Sequence, residues 1–244
     1  MEIPFDPLRR AEEVEKIVMK NLKRKYYRFR YARYYGGIVT ADACGCCFLC
    51  AYCWNYFRNL NPRKYGEFYS SEEVANKLVK ISEKKNCLKF RISGAEPILG
   101  KKSLEHLVKV IDLLYQKIRN LEFVIETNGL ILGFYPELVE KLQKFKDFLY
   151  VRVSIKGWNE KSFEKISGVS GKYFVYPLIA IKNLLDNRIN AWPAVMWEIF
   201  RGRGIENLSK RLKEYEIRPE ELEIEYLEKY PFVIENLRRR GIII

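Results

Sequence analysis

The sequence predicts an α/β fold in which six βα units surround a parallel sheet curved into a barrel, full or partial, with a helical extension at the N-terminus. Strand-like and helix-like segments alternate regularly from Gly37 to Tyr226, the pattern of parallel sheets with crossover helices. The 244 residues, 48% of them hydrophobic, suffice for one large core. Three unusual segments also fall just after predicted strands, where such folds place their chemistry.

The elements follow in order. Val14, Ile17, Val18 and Leu22 keep helical spacing and predict an amphipathic helix from about Glu12 to Lys25. Lys23 to Tyr35 then interleaves six basic residues with six aromatics and contains no acid. Residues 1–36 are read as a basic, aromatic-rich extension and 37–244 as the barrel domain. Gly37 to Thr40 is the first predicted strand, and Ser70 with Glu73 forms a capping box opening a helix through Val74, Leu78 and Ile81. Leu88 to Ile92 is the second strand, followed by a helix through Leu104, Leu107, Ile111 and Ile118. Leu121 to Ile125 is the third, with Pro136 in the first turn of a helix through Leu138, Leu142 and Phe145. Phe148 to Ile155 is the fourth. Helical patterns near Phe163 and from Tyr176 to Leu185 lead to a fifth around Ala194 to Trp197. A helix from Ile205 to Tyr215 precedes the sixth, Leu222 to Tyr226.

Composition narrows the class. Lys and Arg number 44 against 31 acids, a net charge of +13, which favours an anionic partner or substrate. The bias to Lys, Glu and Ile, with glutamine only at Gln116 and Gln143, also fits adaptation to heat. No apolar run approaches the roughly 20 residues of a membrane span, and the acidic, proline-containing start does not resemble a secretory signal. A cytoplasmic protein with no membrane partner is expected.

Five of six cysteines lie between Cys44 and Cys53. They stand too close together for a disulfide framework, and no second ligand pair or histidine pair suggests zinc. Two iron–sulfur registers are open. Cys44, Cys47, Cys50 and Cys53 repeat every third residue, whereas Cys46, Cys50 and Cys53 form CxxxCxxC. Three ligands would leave one iron of a four-iron cluster open to a substrate or cofactor.

CxxxCxYC after the first strand, with Ser93-Gly94-Ala95-Glu96-Pro97 after the second, resembles the radical S-adenosylmethionine (SAM) superfamily. Glu126-Thr127-Asn128-Gly129, Lys156 and Tyr52-Cys53-Trp54-Asn55 resemble segments of pyruvate formate-lyase activating enzyme and its relatives, and the ETNG form that of 7-carboxy-7-deazaguanine synthase. The resemblance implies a partial barrel of the radical SAM type. It implies a 4Fe-4S cluster on Cys46, Cys50 and Cys53, with SAM on the open iron. Tyr52 would pack near the adenine, the Ser93–Glu96 segment would bind the methionine amino group, and Thr127, Ser154 and Lys156 would serve the rest of the cofactor. Two departures stand out: Ala95 replaces a usual Gly, and Ser154 a usual Asp, which removes the charge a monovalent cation site would use. A reductant such as ferredoxin or flavodoxin is implied as electron donor.

The remaining candidates have plainer readings. Cys87 is expected in the core, Cys44 and Cys47 as bystanders or alternative ligands, and His106 on a surface. Trp192, Trp197 and Phe200 are expected to fill the barrel. Arg201 to Gly204 fits a rim anion site or a solvated turn, and Arg238 to Arg240 a solvated run. Three functions compete: an activase modifying a polypeptide, a radical enzyme acting on RNA or a nucleotide (deazapurine-type chemistry included), and a non-catalytic electron carrier. The basic, aromatic Lys23 to Tyr35 stretch supports the second, since its cations could hold phosphates while its rings stack on bases. Glu96 and Lys156 argue against the third.

Overall fold

Every residue of the strand Ile38–Ala43 is buried, as expected of a parallel strand covered on both faces. In the computed structural model, which describes residues 2–244, this strand lies inside one nine-stranded sheet. The strands are β1 (Met19–Lys20), β2 (Lys23–Ala32), β3 (Ile38–Ala43), β4 (Glu67–Tyr69), β5 (Lys89–Ser93), β6 (Glu122–Thr127), β7 (Leu149–Ser154), β8 (Asn190–Met196) and β9 (Glu223–Glu225). Their order is β1-β2-β3-β5-β6-β7-β8-β9, with β4 paired to β2. From β3 through β9 the path is parallel, so the six predicted strands exist and are neighbours. The sheet does not close: it is a partial barrel.

The helices are α1 (Pro7–Val18), α2 (Tyr56–Leu60), α3 (Ser71–Lys85), α4 (Lys101–Lys117), α5 (Leu130–Phe134), α6 (Glu140–Gln143), α7 (Glu160–Ser167), α8 (Val175–Asp186), α9 (Trp197–Glu214) and α10 (Pro231–Arg239). Asp6 caps α1 by accepting from Leu8 and Arg9, and the Ser70/Glu73 capping box on α3 is formed in both directions. The first helix ends at Val18, not near Lys25. The basic stretch beyond it is strand β2, antiparallel to β3, because its aromatics alternate and gain cross-strand neighbours.

Alternation within the strands sorts side chains into two interiors. Val39, Ala41, Phe90, Ile92, Phe123, Ile125, Val151 and Val153 join the main core. Ile38 and Val124, with Ala32, Tyr35, Tyr150 and Trp192, form a separate apolar plug. Thr40, Asp42, Arg91, Glu126, Arg152 and Glu223 follow these in the same period, placing charge above the plug. Of the three aromatics expected as filling, Trp192 packs in the plug and Phe200 is buried in the main core against Trp158, whereas Trp197 is exposed.

His106 is buried, not a surface residue. Its Nδ1 lies 2.9 Å from the Leu22 carbonyl oxygen and its Nε2 3.1 Å from the Tyr26 hydroxyl. Helix α4 turns it toward Leu22 and Tyr26, and the sequence pattern does not show that β2 runs past this face of the helix. Burial pulls its pKa down to about 4 from the usual 6.5. Between these values the unfolded chain binds more protons, so stability is full above about pH 6.5 and falls as pH drops toward 4. The expected loss is about 3 kcal/mol. Urea titrations at pH 7 and 5 should show a fall that His106→Gln flattens; an equal fall in both proteins would assign it to other groups.

Candidate active site

The loop after β3 carries the cysteines, and its backbone is fastened on both sides. Leu49 and Ala51 donate backbone N–H groups to Ser167 and Ile166 at the end of α7. Arg10 donates to the Cys46 carbonyl at 3.2 Å, and Arg240 to the Leu49 carbonyl at 3.0 Å. Such anchoring holds an irregular loop in one conformation although it has no ladder of its own.

The five thiols then take different surroundings, with Cys46 and Cys47 still in contact. Cys46, Cys50 and Cys53 line a cavity of about 670 Å³ that opens at the C-terminal ends of the parallel strands, a volume typical of ligand sites. Cys44 faces away and donates to the Tyr65 carbonyl oxygen at 3.5 Å. Cys47 is buried and accepts from Asn128 Nδ2 at 3.2 Å, and Cys87 sits in the core near Gly37. Burial pushes Cys50 up to about 12 and Cys53 to about 11. Cys46 moves down to about 7, chiefly through its hydrogen bond with Cys47.

The loop after β5 crosses over the cysteine loop. Glu96 donates its backbone N–H to the Gly45 carbonyl at 3.1 Å, and Asn55 Nδ2 donates to the Gly94 carbonyl. Gly94 has a φ of +81°, and a Cβ there would meet the Tyr27 hydroxyl at 2.9 Å, so the turn requires glycine. Ala95 is not among the residues with positive φ, and its methyl is tolerated. Buried Glu96 takes Thr127 Oγ1 at 2.7 Å and Ile98 N at 3.1 Å on Oε1, and Asn128 N at 2.8 Å on Oε2. Its carboxylate therefore locks the β5 loop to the β6 loop and retains capacity for a further donor. Burial, then the adjacent Cys46, push its pKa up to about 8 against those three bonds, so alone it is largely protonated at neutral pH and a cation beside it draws it to the carboxylate.

On the next strand end, Lys156 stands over the Tyr52 ring, 5.1 Å from its centroid. Burial works against its charge, but Tyr52 and Cys50 outweigh this and raise its pKa, so it stays protonated. Ser154 accepts from Arg152 at 3.0 Å. Ser93, Gly94, Ala95, Glu96, Thr127, Ser154, Lys156 and Tyr52 all line the same cavity as the three thiols. The wall below them carries Arg91 on Glu126 at 2.5 Å and Arg152 on Glu223 at 3.1 Å.

Residues 42–197 match the model of the radical SAM superfamily. The chain belongs to the radical SAM superfamily. Its cofactors are accordingly those of the family, a 4Fe-4S cluster and SAM. A protein of Methanocaldococcus jannaschii, provisionally named a glycyl-radical enzyme activating enzyme, is 27% identical over 134 residues, 55% of this chain and 45% of that one. The chain thus spans under half of that relative's length. Among solved structures, spore photoproduct lyase superposes with a TM-score of 0.64 at 15% identity, covering 91% of this chain and 64% of that one. A variant of that lyase with bound AdoMet and a dinucleoside spore photoproduct gives 0.62 at 16% identity, with coverages of 91% and 64%. A radical SAM methyltransferase from Sphaerobacter thermophilus gives 0.58 at 11% identity, covering 87% and 66%. These likenesses speak for the radical SAM fold.

The donors present fit the family's group. Among the described residues no three His, Cys, Asp or Glu side chains converge as one mononuclear ion requires; a four-iron cluster instead takes each thiolate on a separate iron. Three soft donors on one cavity, beside a protonated lysine, suit a cluster with an anionic ligand. Sequence reasoning missed Asn128's contact with the cysteines and the Arg91, Glu126, Arg152 and Glu223 wall. Single charges inside the apolar strands at Arg91 and Arg152 were the available signal. Among the described residues no helix is long and apolar enough to cross a membrane.

Proposed function

We propose that this chain is a radical SAM activase: Cys46, Cys50 and Cys53 hold the cluster, and the enzyme takes hydrogen from a polypeptide partner. The single observation that carries it is the sharing of one cavity by these three thiols, the Tyr52–Lys156 pair and the Ser93–Glu96 loop. When bound, cluster and cofactor together supply one-electron cleavage of the sulfonium to methionine and a 5′-deoxyadenosyl radical. The residues do the rest. The loop carbonyls of Ser93 to Ala95 and the free capacity of Glu96 accept from the methionine ammonium. Lys156 pairs with its carboxylate, and Tyr52, Thr127 and Ser154 border the nucleoside. The plug of Ile38, Val124 and Trp192 closes the barrel floor and limits the entry of water. A ferredoxin- or flavodoxin-type protein supplies the electron.

The polypeptide reading draws on the name of the archaeal relative and on how the basic stretch is used. Arg24 is buried and donates to the Glu96 carbonyl, Lys25 to the Pro62 and Arg63 carbonyls, and Arg28 and Arg30 both pair with Asp42. With Lys23 beside Glu73 at 3.7 Å, five of the six cations of this stretch thus have partners inside the chain. The reconstituted, reduced protein is expected to form 5′-deoxyadenosine from SAM, detected by chromatography. With a deuterated extract, label should reach that product from the protein fraction. Transfer from RNA or from small molecules alone would overturn the polypeptide assignment, and no cleavage with an intact cluster would leave an electron carrier.

A further inference from the structure

In a chain of net charge +13, each guanidinium that lines the cavity, among the described residues, is charge-paired with a carboxylate. Arg30 makes two bonds to Asp42, at 2.7 and 3.2 Å, and Arg91 is held by Glu126 and Thr40. Arg152 meets two carboxylates, Glu223 at 3.1 Å and Glu225 at 2.5 Å. A phosphate at this wall would meet Glu126, Glu223 and Glu225 beside guanidinium groups whose charge is already neutralised, and would gain little there.

The two partners of Arg152 differ. Glu223 Oε2 also accepts from Trp192 Nε1 at 2.6 Å and is fixed from two sides. Glu225 meets Arg152 through Oε2 alone among the described residues, and its side chain is 39% exposed. Arg152 is 4% exposed, yet its Nη2, although close to Glu225, has no aligned hydrogen bond. A buried donor left so is costly, and its satisfaction is a source of binding energy. Side by side, then, stand a donor that is in ionic contact but lacks an aligned hydrogen bond and an acceptor that uses one of its two oxygens. Both atoms belong to residues lining the cavity that holds the three thiols, and Glu225 is on β9, the open edge of the sheet.

We infer that Arg152 and Glu225 form an amide-recognition pair for a polypeptide substrate, Nη2 donating to a peptide carbonyl while the Glu225 carboxylate accepts the N–H. This rests on the polypeptide reading above and adds the group by which substrate is held. Glu225 swings only as far as needed to uncover Nη2, and Glu223 keeps the guanidinium in place through Nε. With Glu223 the group carries a net charge of −1, which disfavours a phosphate, while a backbone amide engages both the donor and the acceptor where a lone cation would engage only the carboxylate. No bond is made or broken at this pair, which positions substrate and takes no part in the chemistry.

The test uses the cluster-loaded enzyme with SAM present and titrates acetyl-triglycine amide, following Trp fluorescence and calorimetry. The second probe is its glycolate ester analogue, which keeps the carbonyls and loses the N–H groups. The amide is expected to bind about tenfold more tightly than the ester, the value of one hydrogen bond to a charged group. In Glu225→Met the two should agree within about twofold. Equal binding of amide and ester by the wild type, an unchanged preference in the variant, binding of neither probe, or tighter binding of adenosine monophosphate would each overturn the inference. On the same wild-type preparation, 5′-deoxyadenosine formation reads the proposed function separately. Cleavage without amide preference removes only this pair, whereas amide preference without cleavage removes the activase reading and leaves a peptide site.

Discussion

Replacing Cys46, Cys50 or Cys53 singly by Ala is expected to abolish four-iron binding and reduce SAM cleavage to background, whereas Cys44→Ala and Cys87→Ala retain both. Three thiolates are the fewest that hold a cubane while leaving one iron open, so losing any one leaves two ligands and a cluster that does not persist. Cys46, Cys50 and Cys53 line the cavity, and Cys44, Cys47 and Cys87 are not among its lining residues. Cys44 fills space beside Gly66, where a Cβ would come within 2.6 Å of its sulfur. Its truncation therefore leaves a small void costing about 1 kcal/mol, visible in the melting temperature and not in the iron content. Cys47→Ala is a finer case, because Asn128 then loses the sulfur 3.2 Å from its amide; a reduced yield of intact cluster is expected rather than none. Iron analysis and electron paramagnetic resonance of each reconstituted variant check the series. Iron lost in Cys44→Ala but kept in Cys46→Ala would establish the every-third-residue register instead.

The sequence showed the six parallel strands because each is a short apolar run between helical repeats, and period alone separates the two. It showed the strand-end loops for the same reason. Besides the burial of His106 and the Asn128 contact with the cysteines, three larger features escaped it. Lys23 to Ala32 reads as helix continuation followed by a charged patch, since nothing local says that Arg24 is buried or that Arg28 and Arg30 share Asp42. The helix Pro231–Arg239 went unread because its arginines masked a face on which Val233 and Leu237 are buried. The inner wall was hidden because Arg91, Glu126, Arg152 and Glu223 come from four strands, and pairing between strands is a tertiary fact. At the candidate site, Cys46, Cys50 and Cys53 could be singled out only with help from a family resemblance, as their spacing allowed a second register. What the sequence could not supply was the direction of each sulfur, which is set by the anchoring of the loop through Arg10, Arg240 and α7.

Glu96→Gln is expected to weaken SAM binding about tenfold while iron is retained, and Glu96→Ala to fold poorly. Three buried donors, Thr127 Oγ1, Asn128 N and Ile98 N, converge on this one carboxylate. Truncation to Ala orphans all three at about 1–3 kcal/mol each, a large part of the 5–15 kcal/mol that holds a typical domain together. The glutamine variant is therefore the informative one. Its amide oxygen still serves Thr127 and Ile98, but its NH₂ is turned against the Asn128 N–H, two donors face to face. Asn128 must shift, and with it the loop whose side chain reaches the Cys47 sulfur. The geometry around the open iron is then disturbed without removing a ligand. Lys156→Met supplies the comparison from the opposite wall: it deletes the charge over Tyr52 and should weaken binding by a similar factor without lowering the melting temperature as Glu96→Ala does. Equilibrium dialysis of labelled SAM against each loaded variant, with iron content and melting temperature measured in parallel, separates the effects. If affinity is unchanged in both Glu96→Gln and Lys156→Met, neither residue belongs to the binding site, and the loop carbonyls of Ser93 to Ala95 alone hold the methionine end.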